Sequence, residues 1–69
     1  MKEIKLEKEY ITLGQLLQIT DIASSGGQTK FLVKELTIKV NKEKEDRRGR
    51  KLYQGDMVDI KGYGQFLIK

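Results

Sequence analysis

Two kinds of apolar spacing divide this chain, and their order limits what it can fold into. Leu13, Leu16 and Leu17 stand at helical spacing, and a second helical stretch follows in "QTKFLVKEL". Between them "DIASSGG" supplies two serines and two glycines in a row, which favour a turn and free the backbone. From Leu36 the period changes to two, with Leu36, Ile38 and Val40 pointing one way and Thr37, Lys39 and Asn41 the other. Helices this short are not stable alone, so they must pack on each other and on a sheet. The predicted fold class is therefore α+β, two short helices on a small, mainly antiparallel sheet, in the order strand, helix, helix and then three or so strands.

Local signals place the elements. Thr12 followed three residues later by Gln15 has the form of a capping box, so the first helix begins near Thr12. Gly14 near its start costs about 1 kcal/mol relative to alanine, unless another backbone packs close there. On the second helix Phe31, Leu32 and Glu35 or Leu36 are the expected inward face. The opening "MKEIKLEKEYI" alternates, with Ile4, Leu6 and Tyr10 on one parity, and Lys8 breaks the apolar side; this predicts an edge strand from Lys2 to Tyr10. After Val40 an Asn-Lys turn ends the strand. Gly55-Asp56 marks a further turn, Val58 and Ile60 face inward, the chain bends at Gly62 to Gly64, and a last strand runs through Phe66 and Ile68.

With 69 residues, one domain spanning 1–69 and one modest core are the expectation. The chain has no cysteine and no histidine, which removes a disulfide framework and an ordinary zinc site and leaves apolar packing to hold the core. No cofactor is expected. A cysteine-free chain without an apolar run as long as a membrane span reads as a soluble, cytoplasmic protein with no membrane partner. Nucleophilic catalysis lacks its usual histidine base, and a dyad of Ser24 or Ser25 with Lys30 is outweighed by ordinary turn chemistry. The acidic pairs Glu43 with Asp46 and Asp56 with Asp59 read as solvated turn groups. The chain is expected not to be an enzyme.

Charge is where the sequence offers chemistry. From Lys39 to Lys51 there are seven cations against three anions, so this segment alone carries the molecular excess of +4. Arg47, Arg48, Arg50 and Lys51 fall within five positions of "DRRGRKLY", around Gly49. Arginine presents a planar fork of donors that matches phosphate oxygens two at a time, so such a cluster suits a polyanion. Gly49 lets the chain bend there, and Asp46 is placed to orient one arginine by an ion pair. The competing reading is a solvated loop balancing Glu43, Glu45 and Asp46. Lys30 lies at the start of the second helix, where it and the amides of Gln28 and Thr29 stand at a helix N-terminus that attracts phosphate.

The stretch "ITLGQLLQITDIASSGGQTKFLVKELTIKVNKEKEDRRGRKLYQGDMVDI" resembles the ribosomal protein S4-like RNA-binding domain, the αL motif. The features that carry it are Leu13 to Leu17, "SSGG" before the second helix, "LTIKVN" and "GDMVDI". In "RRGRKLYQGD" the likeness is nearest to the stand-alone bacterial YaaA-like members. The resemblance covers residues 11–60 and implies a non-catalytic RNA-binding domain that recognises structured RNA by shape and phosphates. Its partner would be ribosomal RNA or a ribosome-assembly intermediate, transfer RNA or a ribosomal particle, bound by a monomer. Carried over by position, the implied RNA-binding residues are Ser25, Gln28, Thr29, Lys30, Arg47, Arg48, Arg50 and Lys51. Where the family usually reads V-N-G, this chain has Val40-Asn41-Lys42. The alternative is a protein-interaction module that docks an acidic partner through the basic patch or pairs its N-terminal edge strand with it.

Overall fold

The computed structural model describes residues 1–69. Strand β1 (Lys2–Ile4) and the short β2 (Ile11–Thr12) precede helices α1 (Leu13–Ile19) and α2 (Gly26–Glu35). Strands β3 (Ile38–Val40), β4 (Glu43–Lys44), β5 (Lys51–Leu52), β6 (Met57–Ile60) and β7 (Gly64–Ile68) complete the chain. A five-stranded sheet has the order β1-β7-β6-β3-β4, antiparallel except for the parallel β1–β7 pair, and β2 with β5 forms a separate antiparallel ribbon. The two-helix α+β architecture is the one expected, with more and shorter strands than the sequence pattern indicates.

Thr12 caps α1 as the sequence requires: its hydroxyl accepts from the Gln15 N–H while the Gln15 amide oxygen accepts from the Thr12 N–H. Leu13, Leu16 and Leu17 are fully buried, and they join Val33, Ile38, Val40, Leu52, Val58, Ile60, Phe66 and Ile68 in one core. The period-two reading of the later strands holds, since Ile38, Val40, Val58, Ile60, Phe66 and Ile68 all face this core.

Two expectations fail. Phe31 is 71% exposed, and α2 presents Thr29 and Val33 to the interior, with Leu32 only half-buried. A helix of ten residues has room for one narrow contact stripe, and position 29 wins it because α1 approaches there through a glycine. The N-terminal edge strand is also shorter than Lys2 to Tyr10. Pairing reaches only as far as Leu6, whose N–H donates to the carbonyl of Lys69. Residues 7–10 cross over to the β2–β5 ribbon instead.

The V-N and G-D positions prove to be one unit. Asn41 and Lys42, both at positive φ (52° and 73°), form the two-residue turn between β3 and β4. The Asn41 side chain donates to an Asp56 carboxylate oxygen (3.0 Å) and accepts from the Met57 N–H (3.0 Å), while the other Asp56 oxygen accepts from the Tyr53 N–H (2.8 Å). One hairpin tip is thereby stitched to the turn that launches β6.

Candidate nucleic-acid interface

The segment 45–50 that joins β4 to β5 carries the arginines, and the start of α1 holds it in place. The Leu13 N–H donates to the Arg50 carbonyl and the Gly14 N–H to the Arg48 carbonyl, each at 2.8 Å. Two of the donors that a helix N-terminus leaves open are thus spent on fixing the loop. The close approach needs a residue without a side chain. A Cβ on Gly14 would lie 3.3 Å from the Arg48 carbonyl oxygen, 3.4 Å from the Arg48 Cβ and 3.5 Å from the Thr29 hydroxyl. Gly14 is therefore the point where α1, α2 and the loop meet, which is the condition under which a glycine early in α1 is tolerated.

Gly49 has no such role. Its φ is not positive, and a Cβ there would meet nothing within 4 Å. The bend expected from it is produced by Glu45. This carboxylate is 6% exposed; one oxygen accepts from the Arg47 Nε (2.9 Å) and from the Asp46 and Arg47 N–H groups, and the other accepts from the Arg50 Nη1 (2.7 Å) and the Arg47 Nη2 (3.1 Å). Asp46, expected to orient an arginine, makes no ion pair. The Arg47 guanidinium bonded to it brings the Glu45 carboxyl down from 4.5 to about 2, with Arg50 adding to the effect and burial opposing it.

The cations line two depressions that share Gly49. A shallow depression lined by Gly14, Gln18, Gly26, Thr29 and Arg48 joins the starts of both helices to the loop. A second depression is lined by Arg47, Gly49, Arg50, Lys51 and Tyr53. Arg48 and Lys51 pair with no carboxylate; the Lys51 ammonium lies 4.9 Å over the Tyr10 ring.

On α2 the expected residues have mostly structural work. Ser25 is the N-cap, and its hydroxyl accepts from the Gln28 N–H. The Gln28 amide oxygen accepts from the Ser24 N–H (2.7 Å) and hydroxyl (2.9 Å). Thr29 is buried, its hydroxyl donating to the Gly26 carbonyl (2.7 Å). Lys30 is exposed and unpaired, beside Thr29 in the chain but not among the residues lining either depression. The open N–H groups of this helix belong to Gly26 and Gly27, which make no hydrogen bond within the protein. The sequence points to the amides of Gln28 and Thr29; the Ser25 cap takes the Gln28 N–H and leaves those of Gly26 and Gly27 open.

These features define a class: a small α+β domain with two helices on a mainly antiparallel sheet and a cationic loop clamped at the helix starts. The chain belongs to the S4 domain family, whose model matches residues 4–69. It is also 48% identical over 65 residues to the "Probable ribosome maturation protein RlbA" of Bacillus subtilis (strain 168), a match covering 94% of this chain and 92% of that protein. No helix is long and apolar enough to cross a membrane.

Proposed function

We propose that this protein is a non-catalytic RNA-binding factor acting on structured ribosomal RNA or a ribosome-assembly intermediate. The S4 family membership and the likeness to a protein named for ribosome maturation support that role. The observation that carries the reading is the clamp at Gly14, which brings Arg48 to the depression that Gly26, with its open N–H, also lines. Arginine forks and uncommitted N–H groups at a helix start are both phosphate ligands, and together they read backbone shape and leave base identity unread.

In this reading Arg48 and Lys51 bind phosphates outright, Lys30 extends the face along α2, and Arg47 and Arg50 offer the donors that Glu45 leaves free. Ser25, Gln28 and Thr29 shape the helix start and keep its glycine amides open. Titration of ribosomal RNA against salt tests this. Neutralising four phosphates gives a log-log slope of about −3 to −4, and Arg48→Ala flattens it by about one unit. An unchanged slope in that variant removes Arg48 from the phosphate ligands, and no RNA retention at low salt removes the reading.

A further inference from the structure

Beside the arginines the β2–β5 ribbon carries an aromatic surface that phosphate binding does not use. Ile11 lies opposite Leu52 and Thr12 opposite Lys51, so the next position along the ribbon sets Tyr10 opposite Tyr53. Strand alternation sends Ile11 and Leu52 to the core and leaves Tyr10, Thr12, Lys51 and Tyr53 on the other side. The two rings are 5.8 Å apart and tilted by 50°, and Lys51 covers the Tyr10 ring. Tyr53 remains 44% exposed, at the edge of the depression whose other walls are Arg47, Gly49, Arg50 and Lys51. Its backbone is held by Asp56, so the ring stands on an anchored strand end.

An exposed aromatic ring next to phosphate donors, with no acidic side chain in the depression, matches how proteins hold an unpaired nucleotide: the base stacks on the ring while cations take the flanking phosphates. Phe31 and Ile19 are as exposed, but neither lines the depression that carries the arginines. We infer that Tyr53, backed by Tyr10, is a stacking platform for an unpaired base of the bound RNA, flanked by Arg47, Arg50 and Lys51. This rests on the RNA-binding reading and adds a ligand feature, a single-stranded or bulged nucleotide next to the helical part.

Two RNAs separate stacking from general affinity: a blunt duplex, and the same duplex with a single-stranded overhang bearing a fluorescent adenine analogue at its first unpaired position. Wild type and Tyr53→Phe are expected to quench the analogue on binding. Tyr53→Leu keeps apolar bulk without a π face; it should bind the blunt duplex as wild type does, lose on the order of tenfold on the overhang RNA, and leave the analogue bright. Thermal unfolding of each variant confirms that it is folded. If Tyr53→Leu binds both RNAs like wild type, or weakens both equally, stacking is overturned while RNA binding stands. Failure of wild type to bind either RNA overturns both.

Discussion

At the residue scale Glu45 decides the most. It is the one carboxylate inside the cationic segment that is buried, and it takes a bidentate fork from Arg47 and a further bond from Arg50. Sequence spacing presents Glu43, Glu45 and Asp46 as equivalent solvated counter-charges; only the fold distinguishes them, by tying the Glu45 N–H to the Ile38 carbonyl (2.9 Å) so that its side chain turns inward. Because the folded carboxyl titrates near 2 and its unperturbed counterpart near 4.5, it stabilises the fold fully above about pH 4.5. That contribution drains away as pH falls toward about 2. Glu45→Gln should therefore cost about 1–3 kcal/mol at neutral pH and almost nothing near pH 2. Urea unfolding of both proteins across that range measures it, and a pH-independent difference would contradict the ion-pair account.

Elements reveal a strain that the residue list hides. The β3–β4 turn requires positive φ at both central positions; asparagine tolerates this, but lysine at φ 73° does not do so freely. Lys42 is also one of three lysines on this hairpin, and Lys39 and Lys44 lie directly opposite each other across it, an arrangement that costs stability. Lys42→Gly should raise stability by about 0.5–1 kcal/mol, the gain being the relieved left-handed strain less the entropy glycine loses on folding. Thermal unfolding reports it as a higher Tm, and a lower Tm would show that Lys42 makes a contact worth more than its strain. The capping box of α1 and the inward parity of β6 and β7 were legible because they depend on neighbours close in sequence. The outward turn of Phe31 was not, because it depends on where α1 touches α2.

On the scale of the whole molecule, the two glycines that matter exchange roles with respect to their sequence reading. Gly49 looks like the hinge of the basic segment and has open space around it, whereas Gly14, buried in α1, is where three elements touch. Gly49→Ala should hold or slightly raise stability and keep RNA affinity. Gly14→Val should cost about 1–3 kcal/mol by overpacking and weaken RNA binding by pushing the loop off α1. Paired melting and RNA titration of the two variants check this, and a Gly14→Val protein as stable and as tightly bound as wild type would remove the clamp.

By itself, the sequence determined the two helices, the capping box of the first, the change to period two, the inward apolar positions of α1 and the later strands, and the S4-like character of the chain, since each is written in short-range patterns of polarity and turn residues. The tertiary structure alone decided which of the clustered charges are spent on one another, which helix amides remain open, and that an aromatic pair stands beside the arginines. Those outcomes depend on contacts between segments distant in the chain, such as Gly14 with Arg48 and Tyr10 with Tyr53, and no local spacing encodes them.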